Sequence, residues 1–410
     1  MDRIPIGLVG CGGMGRRHLR AYAALADVGI ERFDVAAVCD PRPGAAEEAA
    51  DMAEKLLGSR PRTFATHDEL IASGAVEAVD VVTDPSAHHL VAVPALEAGI
   101  HVTCEKPLGL TVAACREIVA AARPGVVLST AENYRRDGPN RLARRVLDSG
   151  LLGHVHALVE TNIGGSDRVL ISPWRHVLES GPMALDMGVH YLDIFTFLVG
   201  ELRTAYGRSW IAEPLRRGDP TLPALDGIDY VEPGVLRATG DDALAALFEA
   251  ASGVLVQLTY IPSGPGRSYR QRTLHGRAGS MSVPRDRTGE AVTVHLGDTV
   301  LSGPALREAV GGFRLDGAAA ALFGEEGTEY DHPFEYVDAA TIGIELDDFA
   351  GAVRSGKSPE VDGEGGLAAV AGVWAVAESQ RLGRAVTIAE VAAGEIRAAQ
   401  APVDEALGLA

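Results

Sequence analysis

The chain is 410 residues long, enough for two or three domains and a substantial core. Its composition is that of a soluble globular protein rich in alanine and glycine, and no apolar run approaches the roughly 18 residues that a membrane span requires. A formal net charge of -19 argues against nucleic acid and anionic membrane as partners.

The first predicted element is the apolar strand Ile4–Val9, entered without a charged-then-apolar leader, so no export signal is expected. It breaks into glycines and passes at once into a helical pattern from Met14 to about Asp27. Gly10, Gly12 and Gly15 stand at G-x-G-x-x-G spacing. The first glycine permits a tight turn, the second a close approach of backbone to a pyrophosphate, the third close packing of helix on strand. A helix N-terminus there aims unpaired N–H groups at phosphates, so Gly10, Gly12, Gly13, Met14 and Gly15 are expected to bind a dinucleotide. Arg16 and Arg17 crowd the same turn, where cations oppose the helix dipole; a bound dianion would relieve that conflict, although two solvated arginines are the plainer reading. The second strand, Val35–Cys39, ends in Asp40, whose carboxylate can accept hydrogen bonds from an adenosine ribose. The gap from Gly15 exceeds the roughly 20 residues usual for this motif, and the loop at 28–33 supplies the excess. Asp40 would repel a 2′-phosphate and Arg42 would partly offset it, so NAD is favoured and NADP is the alternative.

Strand and helix then alternate through Thr130: a helix at 45–57, a strand near 63–65, a strand at 75–83 running into the turn Asp84-Pro85-Ser86, and a helix at 88–98 stopped by Gly99. The strand Ile100–Cys104 finishes at Glu105-Lys106-Pro107, and a helix at 112–122 and a strand at 125–130 follow. Such alternation means a parallel sheet with helices on both faces and ligands at the carboxyl ends of its strands. The cysteines, Cys11, Cys39, Cys104 and Cys115, lack metal-ligand spacing and read as reduced, packed thiols in a cytoplasmic protein.

Around 132–140 the pattern changes. After a helix at 141–149, segments at 153–160, 203–211, 243–248, 253–261, 269–275 and 291–296 alternate in polarity with few helices between them. They predict a mostly antiparallel sheet with one open face. Stretches 214–240 and 303–339 are rich in Gly, Pro and acidic residues and are expected to be long loops or lids. Helices near 345–354 and 366–382 close the chain. The expected division is a dinucleotide-binding domain at 1–133 and an α/β domain at 134–410.

Two groups of residues suit chemistry. Lys106 lies just beyond a strand of the parallel sheet, on its ligand edge, with its backbone restricted by Pro107, which permits a cis bond. A cation fixed there can bond a substrate hydroxyl and stabilise its alkoxide as a hydride leaves. Asp186, His190 and Asp193 stand at i, i+4 and i+7 on one helical face. Acid–histidine pairing fixes an imidazole tautomer and raises its basicity, which suits His190 to general-base work. No third ligand presents itself for a metal there. His88 and His89 open a helix at another strand's carboxyl end, and one of them is expected to face the cofactor. Trp174-Arg175-His176 offers an aromatic wall and an anion contact. Arg135, Arg136, Arg141, Arg144 and Arg145 form a basic run expected to be a solvated helix face.

Gly10-Cys11-Gly12-Gly13-Met14-Gly15, Glu105-Lys106-Pro107 and Asp186-x-x-x-His190, in that order, resemble the glucose–fructose oxidoreductase / inositol dehydrogenase / rhizopine catabolism (Gfo/Idh/MocA) family over nearly the whole chain. Asp84-Pro85-Ser86-Ala87-His88-His89 looks like its Thr-Pro-x-x-x-His turn, with Asp84 where threonine is usual. Gly276–Ser280 looks like its glycine turn in the second sheet, and 361–386 like its C-terminal helix. The resemblance implies a Rossmann domain joined to an α/β domain whose open sheet serves substrate binding and association, as a homodimer or homotetramer. It implies hydride transfer between NAD(P) and a ring hydroxyl of a sugar or cyclitol, with Lys106, Asp186 and His190 as the catalytic set. His190 removes the proton, Lys106 positions the oxygen, and Asp186 orients His190 or the substrate. Thr83, Asp84, Pro85, His89, Glu105, Lys106, Asn133, Trp174 and Arg175 are then expected along the cofactor. Two other outcomes share the same first steps or the same cofactor: a glycoside hydrolase that oxidises a ring carbon transiently, and a non-catalytic dinucleotide sensor.

Overall fold

β1 (Ile4–Val9), α1 (Gly13–Asp27), β2 (Phe33–Cys39), α2 (Ala45–Leu57), β3 (Arg62–Phe64), α3 (His67–Ala72), β4 (Ala78–Val81), α4 (His88–Glu97), β5 (His101–Glu105), α5 (Val112–Ala121) and β6 (Leu128–Ala131) alternate through the first third. In the computed structural model, which describes residues 3–221, 225 and 228–409, these six strands form one parallel sheet in the order β3-β2-β1-β4-β5-β6. Strands covered on both faces read as continuous apolar runs, and β4 and β6 are buried at every position. Strand order reverses at β1, whose neighbours are β2 and β4. The crevice beyond the carboxyl ends of those strands is where open α/β sheets take ligands. Sequence reading omitted α3, although Thr66 and Glu69 carry an N-cap signal there: Thr66 Oγ1 accepts the Glu69 N–H at 3.2 Å.

The second half begins with α6 (Gly138–Asp148), β7 (Val155–Ile163), α7 (Met183–Val199) and β8 (Leu202–Trp210). Three short strands, β9 (Leu215–Arg217), β10 (Tyr230–Glu232) and β11 (Val235–Arg237), make a small sheet of their own. The stretch 214–240, expected to be a loop, is thus partly paired, while 222–224 and 226–227 lie outside the described residues. β12 (Ala243–Ala250), β13 (Leu255–Ile261), β14 (Tyr269–Gly276), β15 (Ser280–Val283), β16 (Thr293–Leu296), β17 (Thr299–Ser302) and β18 (Val386–Thr387) complete a sheet ordered β17-β16-β15-β14-β7-β13-β12-β8-β18. All its pairs are antiparallel except β7 with β13. One face is packed, with Leu158, Val256, Leu258, Phe248 and Leu274 buried; the other leaves Tyr206, Leu247, Leu255 and Tyr269 exposed.

The stretch 303–339 is corrected in part from loop to helix, with 310–316 and 324–333 remaining irregular. α8 (Gly303–Ala309), α9 (Gly317–Phe323) and the start of α10 (Phe334–Ser355) occupy the rest. Pro304 and Pro333, read as loop signals, stand at helix starts, where a missing N–H costs nothing; α9 is alanine-rich and helix-prone. α11 (Gly363–Leu382), α12 (Ile388–Ala392) and α13 (Ala401–Leu407) follow. α10 returns to the first sheet, packing on α1, and Phe349 stacks on Phe33 at 6.2 Å. α11 packs on α7, α5 and β8, tying the two sheets together around the helix that carries His190.

Candidate active site

At the glycine turn the backbone leaves no room for side chains on one flank and open space on the other. A Cβ on Gly15 would lie 2.1 Å from the Gly10 carbonyl oxygen, whereas one on Gly13 would meet nothing within 4 Å. Gly10 sits at φ +104, where L side chains are strained. Over this turn lies a cavity of about 400 Å³ bordered by Cys11, Gly12, Gly13, Arg16 and Arg42. Asp40 closes it from β2. Its Oδ2 accepts the Cys11 N–H at 2.8 Å, and Oδ1 accepts the Arg42 N–H at 2.9 Å. Arg42 also donates from Nε at 2.9 Å and from its terminal nitrogen at 2.7 Å. Burial alone would raise Asp40, but the Arg42 fork and the two backbone N–H groups hold it below the ordinary carboxylate value. An open glycine edge, a helix N-terminus and an ionised strand-end carboxylate fit a dinucleotide. Arg16 is exposed, as a solvated arginine would be, and pairs with exposed Glu48 at 2.5 Å, whereas half-buried Arg17 pairs with buried Asp338 on α10. Replacing Asp40 with Asn should raise the KM for NAD about tenfold or more with little change in kcat, since only binding far from the reacting ring is touched; an unchanged KM in initial-rate measurements would remove Asp40 from cofactor recognition.

Toward the reacting end, Thr83, Asp84 and Pro85 form the turn after β4. His88 is fully buried between two such turns, its Nδ1 2.9 Å from the Pro107 carbonyl oxygen and its Nε2 3.2 Å from that of Thr83. It braces the cofactor edge rather than facing it. His89 is buried beside it, with Nδ1 unpartnered among the described residues. Glu105, expected along the cofactor, turns its carboxylate inward: Oε1 lies 3.2 Å from His18 Nε2 and Oε2 accepts the Lys106 N–H at 3.0 Å. His18 is held in turn by Asp80 at 2.8 Å, which also accepts from the Tyr22 hydroxyl at 2.8 Å. This buried chain therefore fixes the strand end from which Lys106 projects. Trp174 reaches the Pro85 turn over Gly181, where a Cβ would come 2.9 Å from the indole and 3.3 Å from Pro85. Arg175 stacks on Trp174 at 4.1 Å.

Lys106, Asp186 and His190 converge, though with partners the helical spacing did not indicate. The Lys106–Pro107 bond is cis. Lys106 Nζ donates to Asp186 Oδ1 at 2.9 Å and to the Asp186 carbonyl at 3.1 Å; Arg175 Nε donates to Oδ2 at 3.0 Å. Burial would raise Asp186, but Lys106 and Arg175 together hold it well below the usual carboxylate range. His190 pairs not with Asp186 but with Glu132, just beyond β6, its Nδ1 lying 2.8 Å from both carboxylate oxygens. Tyr134 stacks flat on the imidazole, ring centroids 3.9 Å apart. Asp193 is taken by Arg135 at 2.9 Å. Burial, then the Lys106 charge, push His190 well below its ordinary value, while burial pushes Glu132 up to about 7. Asn133 Oδ1 is buried without a partner among the described residues. Sequence reading missed Glu132 and Tyr134; their place at the carboxyl end of a parallel strand was the available signal.

The basic run is corrected in part: Arg145 is exposed and Arg144 forms an exposed pair with Asp148, as on a solvated helix face, but the earlier arginines are not solvent-facing. Arg136 is buried and pairs with Asp348 at 2.9 Å and with Glu360; Arg141 reaches Glu360 at 2.6 Å. Those acids lie some two hundred residues on, where no local pattern reveals them. Beside Tyr134 a cavity of about 670 Å³ opens on the packed side of the second sheet, walled by Asn162, Tyr191, Arg270, Arg285 and Arg287. Arg287 stands 5.1 Å over the Tyr134 ring, and Asn162 Nδ2 donates to the Tyr191 hydroxyl at 2.6 Å. No part of this wall was picked out from sequence.

Comparison with known proteins gives the family of both halves of the chain. Residues 4–131 match the model described as oxidoreductase family, NAD-binding Rossmann fold, and residues 140–282 that of the GFO/IDH/MocA C-terminal domain. Inositol 2-dehydrogenase 2 of Saccharopolyspora erythraea is 32% identical over 284 residues, covering 68% of this chain and 72% of the relative. Levoglucosan dehydrogenase of Pseudarthrobacter phenanthrenivorans is 28% identical over 325 residues, covering 74% and 82%. Among solved structures, an oxidoreductase domain protein from Kribbella flavida superposes with a TM-score of 0.76 at 24% identity, covering 95% of this chain and 100% of that one. Levoglucosan dehydrogenase in complex with NADH and levoglucosan superposes with a TM-score of 0.74 at 21% identity, covering 94% and 100%. With its glycine cradle, its strand-end Asp40 and both matching domains, the chain belongs to the Gfo/Idh/MocA family of NAD-binding oxidoreductases.

Proposed function

We propose that this protein is an NAD-dependent dehydrogenase that oxidises a ring hydroxyl of a sugar, sugar derivative or cyclitol, or runs the reverse reduction. Residues 1–133 hold the cofactor, and 134–410 supply the substrate pocket. The observation that carries the reading is the environment of His190: Nδ1 is engaged by Glu132, and Lys106 stands nearby pinned on Asp186. Bound NAD supplies the hydride acceptor. The chain does the rest. With Nδ1–H donated to the Glu132 carboxylate, His190 Nε2 carries a lone pair and takes the hydroxyl proton. Lys106 Nζ, with one N–H still free after its two bonds to Asp186, steadies the oxygen as negative charge develops. Asp186 and Arg175 are positioning residues for Lys106, and Tyr134 holds the imidazole plane. The Asp40 carboxylate, held by the Arg42 fork at the end of β2, would repel a 2′-phosphate, which supports NAD over NADP. The exposed Tyr206, Leu247, Leu255 and Tyr269 on the open sheet face support a homodimer or homotetramer, and four buried free thiols support a reducing, cytoplasmic setting.

The test is a screen of NAD reduction against monosaccharides, inositols and glycosides. NADH accumulation with a polyol substrate is expected. Glycoside cleavage without NADH accumulation would instead mark transient oxidation, and dinucleotide binding with no turnover would mark a sensor. The Glu132–His190 pair also predicts a pH profile. When the pair carries two protons, Nε2 is protonated and the base is lost; when one proton leaves, Nδ1–H remains on Glu132 and Nε2 is free. Oxidation should therefore fall off as pH drops below about 7, an apparent value belonging to the pair. In Glu132→Gln the limb should report His190 alone and move to lower pH, with a reduced plateau. A limb unmoved in that variant would separate Glu132 from the base.

A further inference from the structure

Two guanidinium groups in the cavity beside Tyr134 have no counter-ion among the described residues. Arg270 lies on β14 and Arg285 just after β15, and both line the space. Neither guanidinium forms a hydrogen bond or ion pair with any other group among the described residues; Arg285 accepts from the Thr288 hydroxyl only through its backbone carbonyl, at 2.8 Å. Their cationic neighbours are already committed: Arg272 to Glu160 at 2.6 Å and Asp286 at 2.8 Å, Arg287 to Asp338 at 2.8 Å. The carboxylates closest to hand are thereby taken, and Glu290, the other acid on the wall, is exposed and pairs with neither arginine among the described residues. Burial, then the Arg270 charge, push Arg285 below its ordinary value, with Arg287 acting in the same sense. Like charges brought together in a concave site repel unless an anion stands between them. A guanidinium fork matches the paired oxygens of a carboxylate or phosphate, with bonds about twice as strong as neutral ones.

The same space reaches the base. Tyr134 is both a wall of the cavity and the ring stacked on His190 at 3.9 Å. A cavity of about 670 Å³ has room for a single sugar ring with a charged substituent. We infer that the substrate carries an oxyanion, the carboxylate of a sugar acid or a phosphate ester, which Arg270 and Arg285 bind while the ring hydroxyl lies toward His190. This rests on the dehydrogenase reading and narrows its substrate class: a neutral sugar would leave both arginines of the cavity wall without an anion.

The experiment compares matched substrates on the full-length protein with NAD: glucose, glucuronate and glucose 6-phosphate, and the corresponding galactose set. Wild type is compared with Arg270→Gln, Arg285→Gln and the double variant. Both arginines are surface-accessible, so the variants should fold. An anionic member is expected to show kcat/KM about tenfold or more above its neutral partner, and the double variant should lose that advantage, its ratio of anionic to neutral kcat/KM falling toward one. Which anionic member responds separates carboxylate from phosphate. Preference for the neutral sugar, or an advantage that survives in the double variant, overturns the inference and leaves the dehydrogenase standing. If no polyol yields NADH, the dehydrogenase reading fails, and calorimetric titration of the NADH-loaded protein with glucuronate and glucose 6-phosphate decides the oxyanion site separately. Binding weakened about tenfold in the double variant supports it; absent or equal binding overturns it.

Discussion

His190→Ala is expected to lower kcat by about 10²–10⁴-fold while leaving the Kd for NAD within about twofold of wild type. That loss corresponds to about 3–5 kcal/mol of transition-state stabilisation. The two measurements separate because the residues come from different places. The cofactor cradle is built from β1, α1 and the end of β2, whereas His190 stands on α7, covered by Tyr134. Removing the ring leaves Glu132 buried without its partner, and a carboxyl already raised to about 7 by burial can stay neutral by keeping a proton. Folding should therefore survive, and equilibrium NAD titration followed by steady-state rates reads the two effects apart. His190→Asn, which keeps a donor toward Glu132, should be as slow as the alanine variant. Turnover within tenfold of wild type in either variant, or NAD binding lost along with turnover, would show that His190 is not the base.

The difference between what could be read from sequence and what could not follows the range of the interactions. G-x-G-x-x-G before a helix, an acid at the end of the next strand, and Lys–Pro beyond β5 are all local, and each marks a backbone site whose chemistry its own neighbours determine. The six-stranded sheet was legible for the same reason, since strands buried on both faces announce themselves as apolar runs. The pairing of His190 was not. Asp186 stands one helical turn away, but Lys106 and Arg175 reach it first, each with a full charge. Glu132 reaches the imidazole from the other sheet, 58 residues earlier in the chain. The arginines at 135–141 were misread in the same way: their acids, Asp348 and Glu360, arrive only when α10 and the segment after it fold back over the first sheet. Loop and helix in 303–339 were confused because Gly and Pro mark helix starts as readily as turns. Long-range pairing of buried charge, then, is where the site acquires its chemistry and where local pattern is silent.

The same long-range pairing sets the second large effect, at the floor of the substrate cavity. Arg272 is buried on β14 and donates to Glu160 at 2.6 Å, to Asp286 at 2.8 and 2.9 Å and to Asn140 at 3.3 Å. Arg272→Met keeps most of the side-chain volume and removes the charge, leaving two buried carboxylates facing each other. Breaking such a pair from one side costs about 3–5 kcal/mol. The deficit should depend on pH, and its sign follows from the protons bound. Burial raises Glu160 to about 7 even with the arginine present, and burial would raise Asp286 too, were Arg272 not outweighing it. Without Arg272 both carboxyls move up, so between the unfolded carboxylate values and the folded ones the native state binds more protons than the unfolded state. Stability then falls as pH rises through that window. In urea unfolding, Arg272→Met should lie closer to wild type at about pH 5.5 than at about pH 8, where both groups must ionise without a partner. Adding Glu160→Gln should recover part of the loss at the higher pH by removing one of the two charges. A deficit below about 1 kcal/mol, or one that does not change across that range, would mean that water rather than Arg272 balances those carboxylates and that the cavity floor is wetter than its burial implies.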